Sequence, residues 1–325
     1  MKPKIKIILF SLLVSIILML LKFTAYFITH SNAVLTDATE SIVNVLASSF
    51  AFYSIYLAGL PRDQNHPYGH GKVEFFSAFV EGTLIMIAGI VIISKSVFNL
   101  FYPQTLTSIL DGAFIVGFTG LVNGLVGWFL INKSKSLKSL TLQADGKHLL
   151  TDSVSSFGLV LGLILIYFTN IIWLDSIISI VLGFYIIYNG YRLTRKSVGG
   201  LMDESNLQVV EEIIECLNKN RKSEWIDVHN LRTQQYGAEI HIDCHVTLPY
   251  YFDLNKVHYE VSEIDLVINN NVNVPTEFFI HADPCIPQCC HYCSMQNCEV
   301  RSEAQTKTIN WSLENITKNH KHFEQ

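Results

Sequence analysis

The sequence predicts an α-helical membrane protein, with six transmembrane helices followed by a cytosolic α+β domain of order αββαβ. Three observations carry this reading. Half of the 325 residues are hydrophobic and only 16% are charged, with a mean hydropathy of +0.31, which suits a membrane protein with a soluble appendix rather than a wholly soluble one. Apolar runs recur at the roughly 20 residues that a helix needs to cross a bilayer. After Gly199-Gly200 the composition changes to shorter amphipathic and alternating segments. The net charge of −5 is small and points to no nucleic-acid partner.

The first apolar run extends from about Ile7 to Ile28. Lys2, Lys4 and Lys6 precede it, as in a signal peptide, but the run is too long and no small-residue cleavage site follows it. Further spans fit 33–59, 73–101, 109–131, 143–169 and 172–193, the second and fifth being the most polar. Lys and Arg fall in alternate loops: Lys2, Lys4 and Lys6; Arg62 and Lys72; Lys133, Lys135 and Lys138; Arg192, Arg195 and Lys196. The positive-inside rule puts all of these, and both termini, in the cytoplasm, with a bacterial inner membrane as the expected location. Lys22 and Lys95 lie within spans near the outer ends and can snorkel.

In the soluble part, Ser205 or Asn206 can cap a helix over VVEEIIECLNKN. Two strands follow, around IDVHNLRTQQ and AEIHIDCHVTL. The second alternates, with Ile240, Ile242, Cys244, Val246 and Leu248 on one face and His241, Asp243 and His245 on the other. A helix over LNKVHYEVSEIDLVINN and a strand over PTEFFIHADP complete the unit. The expected domains are therefore 1–200 in the membrane and 201–284 in the cytosol. A Cys-rich, then polar tail over 285–325 is expected to be irregular, and disordered beyond Arg301.

Polar residues inside the spans are the functional signal, because a charge at the bilayer centre costs about 2.5–3.5 kcal/mol on the insertion scale. Glu40 and Asn44 lie four apart on the second span, with Asp37 on the same face. His148 and Asp152 lie four apart on the fifth, with Asp145 a turn earlier. Oxygen and nitrogen donors on two helices can make a four-coordinate site for a divalent metal, which makes metal transport the leading reading. Interhelical hydrogen bonding alone is the plainer alternative. Asp63, His66 and His70 in the loop RDQNHPYGHGK can gather one ion or simply be solvated. His229, His245, His258, His281 and Asp283 lie mostly on the expected strands, where rings can converge across a sheet. The tail holds Cys285, Cys289, Cys290, Cys293 and Cys298. In a cytosolic setting these read as thiolate ligands for Zn²⁺ or Cu⁺, or as a tolerated Cys cluster.

Over residues 5–285 the chain resembles the cation diffusion facilitators, and looks most like the bacterial zinc and ferrous-iron efflux proton antiporters. The family's fifth-span pattern A-D-x-x-H-x-x-x-D matches Ala144-Asp145 through His148 to Asp152. Its second-span pattern offers Asp or His and then Asp four residues on; here Glu40 and Asn44 stand there, with Asp37 matching a family Asp one turn before. The resemblance implies a transport site of Glu40, Asn44, His148 and Asp152, with Asp37 as a nearby helper. It implies divalent metal ions as cargo, Zn²⁺ first, with Fe²⁺, Co²⁺ and Mn²⁺ also compatible with this donor set, exchanged against protons. It further implies a weaker metal site at Asp63, His66 and His70. A Lys72–Asp203 pair would tie the membrane helices near a dimer axis. A regulatory metal cluster of His229, His245, His258, His281 and Asp283 would lie in a homodimeric, ferredoxin-like cytosolic domain. The partners implied are metal ions, protons, membrane lipids and a second copy of the chain.

An enzyme is the rival class. No H-E-x-x-H, G-x-S-x-G or phosphate-binding loop occurs in the sequence, so no catalytic residue is expected. A passive metal channel would need a continuous polar path, whereas the polar residues cluster at one depth. A membrane-anchored metal sensor would survive the loss of His148, and a transporter would not.

Overall fold

A computed structural model describes residues 2–29, 32–102, 109–169, 173–237, 239–272 and 275–324. The chain divides into two compact units, Met1–Leu201 and Met202–Gln325. The first holds six long helices: α1 (Lys2–Thr29), α2 (Asn32–Ala58), α3 (Val73–Phe101), α4 (Ile109–Leu137), α5 (Leu140–Thr169) and α6 (Trp173–Leu201). Among the described residues, Pro3–Thr24, Val73–Phe101 and Phe114–Leu137 are long and apolar enough to cross a membrane. α2 and α5 carry buried polar residues, among them Asn44 and Ser48 on α2 and Asp145 and His148 on α5.

Small residues set the packing. In α3 a Cβ at Gly82 would lie 3.0 Å from the Gly190 carbonyl oxygen on α6, and one at Gly190 would lie 2.8 Å from that of Gly82. Gly127 of α4 and Gly146 of α5 meet the same way, at 2.8 and 3.0 Å. Such glycines let helix backbones touch where apolar side chains gain little by leaving lipid. The loop around Lys133 and Lys135 is shorter than the sequence predicts. α4 runs on through both, since Lys is a good helix former, and the turn into α5 is made by Lys138 at φ 47°. Ser139 then accepts from Leu142 N–H (3.5 Å) and donates to Glu74 Oε2 (2.6 Å). Lys22, expected to snorkel, is only 4% exposed.

The second unit follows the order α7 (Leu207–Lys219), β1 (Asp227–Tyr236), β2 (Glu239–Leu248), α8 (Leu254–Asn271), β3 (Thr276–Pro284). Its sheet runs β1-β2-β3, with β1 antiparallel and β3 parallel to β2. α7 buries Val209, Val210, Ile213, Ile214 and Leu217, a 3.6-period stripe. α8 is capped by Asp253, which accepts from Lys256 N–H at 2.8 Å. Trp225 is fully buried at the centre of the core and donates Nε1–H to Glu260 at 3.0 Å. His241, expected on the polar face, is buried between Tyr236 and Phe279.

The tail departs from expectation. Beyond Cys285 it makes a 3₁₀ turn over Pro287–His291 and a short helix α9 (Leu313–Ile316), and it belongs to the second unit rather than standing apart. Trp311 (2% exposed) and Ile316 enter the same core as Trp225. Arg221 lies over the Trp311 ring at 4.1 Å and bonds the Ile309 carbonyl. Asn230 N–H donates to Lys318 O at 2.8 Å, and His322 N–H to Asp227 at 3.0 Å. Isolated apolar residues in a polar stretch carry no period, so the sequence alone does not announce this anchoring.

Candidate metal centres

α2 and α5 bring Asn44, His148 and Asp152 together. Asn44 Nδ2–H donates to Asp152 Oδ2 at 2.6 Å, and Asn44 Oδ1 stands 3.0 Å from His148 Nε2. His148 Nε2 lies 3.9 Å from Asp152 Oδ2. Asn44 and His148 are buried and Asp152 is half-buried. The Asn44 amide therefore bridges an imidazole and a carboxylate that lie more than a hundred positions further along the chain. All three are ordinary donors to a first-row divalent ion. The side chains of Asp37 and Glu40 lie outside the described residues.

Asp145 lies one turn before His148 and is fully buried. Its two oxygens accept from Ser11 (2.6 Å) and Ser48 (2.8 Å), so it ties α1 and α2 to α5. Sequence reasoning missed two further acids. Glu74 is buried and bonds Lys4 (2.9 Å) and Ser139. Glu81 on α3 is 0% exposed, and its Oε2 has no hydrogen-bond partner among the described residues. The signal was available: an ionisable residue inside an apolar run is expensive and is usually retained for a reason.

After α2 the loop gathers Asp63, His66 and His70, with one ligand atom from each lying within 4.8 Å of the others. Asp63 Oδ1 accepts from the backbone N–H groups of Asn65 (2.9 Å) and His66 (2.7 Å), an Asx turn that fixes the carboxylate. The His66 N–H bond is the main reason that the Asp63 carboxyl sits below its ordinary range. The two imidazole rings lie 4.3 Å apart, and His70 Nδ1 is buried without a partner among the described residues.

In the second unit one carboxylate organises the cluster. Asp283 at the end of β3 stands 3.5 Å from His229 Nε2, 3.3 Å from His245 Nδ1 and 3.4 Å from His281 Nε2. The register places His229 opposite His245 and His245 beside His281. His229, His245 and Asp283 meet the spacing for one shared ion. Burial pushes the His229 pKa down, against the pull of Asp227 and Asp283, which favours the neutral imidazole that metals bind. His258 lies exposed on α8 and is not among the residues drawn together. All seven cysteines are free, and the five in the tail line one cavity. Lys72 stands at the N-terminus of α3 in one unit, and Asp203 opens the other with φ 59°.

The family model described as cation efflux transmembrane domain matches residues 8–202, and that described as cation efflux protein, cytoplasmic domain, matches 206–285. An uncharacterized transporter of Synechocystis sp. is 34% identical over 252 residues, 78% of this chain and 81% of that protein. The cation-efflux pump FieF of Shewanella oneidensis is 25% identical over 84% of this chain and 92% of its own length. A cadmium, cobalt and zinc/H(+)-K(+) antiporter of Bacillus velezensis is 22% identical over 75% and 77%.

Proposed function

The chain belongs to the cation efflux family, the cation diffusion facilitators, and on that premise we propose that it expels a divalent metal ion across a membrane in exchange for protons. The family is one of transporters rather than enzymes. One observation carries the reading: Asn44 lies within hydrogen-bond reach of both Asp152 and His148, which stand 3.9 Å from each other, between two helices of the membrane unit. A metal arriving there needs a neutral imidazole and an ionised carboxylate, so it displaces whatever protons they hold. Protons returning from the far side expel the metal when access alternates. Asn44 gives up its bridge and turns Oδ1 to the ion, and Glu40 completes the set. Zn²⁺ is the leading cargo, with Fe²⁺, Co²⁺ and Mn²⁺ compatible with a site this rich in oxygen.

In this reading α1–α6 are six spans in a bacterial inner membrane with both termini cytoplasmic. Asp63, His66 and His70 hold a weaker loop site. The αββαβ order supports a ferredoxin-like cytosolic domain that pairs with a second copy, steadied by Lys72 and Asp203. Metal at His229, His245, His281 and Asp283, joined by His258, tightens that pair and biases the membrane unit toward transport. Such coupling requires the ion to bind one conformation better than the other.

The test is metal uptake into proteoliposomes carrying a pH gradient, comparing Zn²⁺, Fe²⁺, Co²⁺ and Mn²⁺ for the wild type and Asp152→Ala. Gradient-driven flux that the substitution abolishes is expected. Flux that ignores the pH gradient would indicate a channel. No flux, with metal still held by the cytosolic domain, would indicate a sensor.

A further inference from the structure

The match to the family's cytoplasmic domain ends at residue 285, where the Cys-rich segment begins. We propose that this segment is a separate site for a thiophilic d¹⁰ cation, ligated by Cys285, Cys290, Cys293 and Cys298. These four cysteines, with Cys289 and Met295, line one cavity of about 260 Å³. Five thiols and a thioether on one cavity wall form a soft donor set of the kind that selects Cu⁺, Zn²⁺ or Cd²⁺ over harder ions. Cysteines serving only as small hydrophobes pack without leaving space. Cys216 and Cys244 are of that kind, buried among the apolar residues of this unit's core.

The fold holds the segment in place without metal. Arg301 donates to the carbonyls of Cys290 (3.2 Å), Cys293 (3.0 Å) and Met295 (2.6 Å), clamping the loop that carries three of the sulfurs. Cys285 N–H is fixed to Leu248 O at 2.8 Å, an extension of the β2–β3 ladder. Cys289 is assigned a structural part: it is buried, and its sulfur accepts from the Tyr292 hydroxyl at 3.3 Å. His291 is engaged with Glu303 at 2.5 Å and stands outside the set.

The thiols feel one another. Burial first, and then the nearby sulfurs of Cys289, Cys293 and Cys298, raise the Cys285 pKa. Burial and the sulfurs of Cys298 and Cys290 likewise raise that of Cys293 against the opposing Met295 N–H and Arg301. Cys290 is the exception. Burial alone would raise it, but bonds from the Ser302 hydroxyl and backbone and from Glu303 N–H, with the Arg301 charge, bring it below the ordinary thiol range. It is only half-buried, so its sulfur is open to an incoming ion. Among the described residues no three of these sulfurs lie within 4.8 Å of one another, whereas tetrahedral thiolates at Zn–S distances of about 2.3 Å stand closer than that. The ion therefore draws the sulfurs inward by rotation about χ1, each ligating thiol releasing its proton to water.

The experiment uses the full chain in detergent, reduced and stripped of metal, titrated separately with Cd²⁺ and Cu⁺. Sulfur-to-metal charge-transfer absorption and cysteine alkylation rates are read. We expect a saturable band and a roughly tenfold slowing of alkylation at Cys285, Cys290, Cys293 and Cys298. The band is expected to disappear in Cys290→Ser/Cys298→Ser and to survive in Asp152→Ala and Asp283→Ala. A wild type without a thiolate band overturns the proposal, as does a band that the double variant leaves intact. If that variant misfolds, seen as new reactivity at Cys216 and Cys244, the wild-type alkylation map decides, and unchanged rates at the four thiols sink the site. The measurement needs no flux, so it stands or falls apart from the transport reading.

Discussion

The buried polar site between α2 and α5 and the cluster at the end of β3 use nearly the same chemistry and are built in opposite ways. In the membrane unit the donors satisfy one another: Asn44 bonds Asp152 at 2.6 Å and stands 3.0 Å from His148. In the cytosolic unit three imidazoles converge on the single carboxylate of Asp283 at 3.3–3.5 Å. The first arrangement has hydrogen bonds to fall back on when an ion leaves, which suits a site that must load and unload. The second has no such amide bridge and is organised by one residue, which suits a site that holds or senses.

The largest expected effect tests the bridge. Asn44→Leu leaves His148 and Asp152 without their common partner, and flux should fall by about 100-fold, the upper range for losing a group that orients metal ligands. Metal binding at the cytosolic cluster should be untouched. If flux survives, the bridge is not part of the transport site and the contrast collapses. Asp283→Asn is the mirror experiment. Affinity of the cytosolic cluster, read by calorimetry in an Asp152→Ala background, should drop about tenfold, while flux in the otherwise wild-type protein changes by a smaller factor. Equal losses in both readouts would mean that the two sites do not divide the work as described.

Packing sharpens the contrast at a smaller scale. A Cβ at Gly127 would stand 2.8 Å from Gly146 O and 2.9 Å from Leu150 N. Gly127→Val should therefore destabilise the membrane unit by about 1–3 kcal/mol and move α5, lowering both the melting temperature and the flux. The cytosolic counterpart is of similar size and depends on pH. Burial pushes the Asp227 carboxyl up, but bonds from the His322 ring and backbone prevail and hold it below the ordinary value. A depressed carboxylate lends stability that is complete above the unfolded value of about 3.9 and is lost as pH falls through the folded one. Asp227→Asn should therefore cost about 1–3 kcal/mol near neutrality. The gap to wild type should begin to close only below about pH 4 and vanish below the depressed folded value, followed by the fluorescence of Trp225 and Trp311.

The two regions also differ in how legible they are in the sequence. The helices of the first unit announce themselves by apolar length, and the i, i+4 spacing by itself places His148 and Asp152 on one helix face. What spacing cannot give is the partner relation across helices: that Asn44 sits between them, or that Ser11 and Ser48 hold Asp145. Glu81 is visible as a lone acid in an apolar run, yet it belongs to no motif that would single it out. In the second unit, alternation along β2 gives the strand and its buried face, and the αββαβ order follows. The tail is illegible because its anchors, Trp311, Ile316 and His322, are single residues far apart in a polar stretch, and their partners lie about a hundred positions upstream.

The glycine contacts have a mechanical consequence. Where Gly82 meets Gly190 and Gly127 meets Gly146, the obstacles to a larger residue include the opposing main chain itself, which cannot rotate aside as a side chain can. α3 with α6, and α4 with α5, therefore behave as two welded struts with no slack within either pair. Any stroke that this bundle makes must shear along its sparser seams, and the one between α2 and α5 is where Asn44 faces His148 and Asp152.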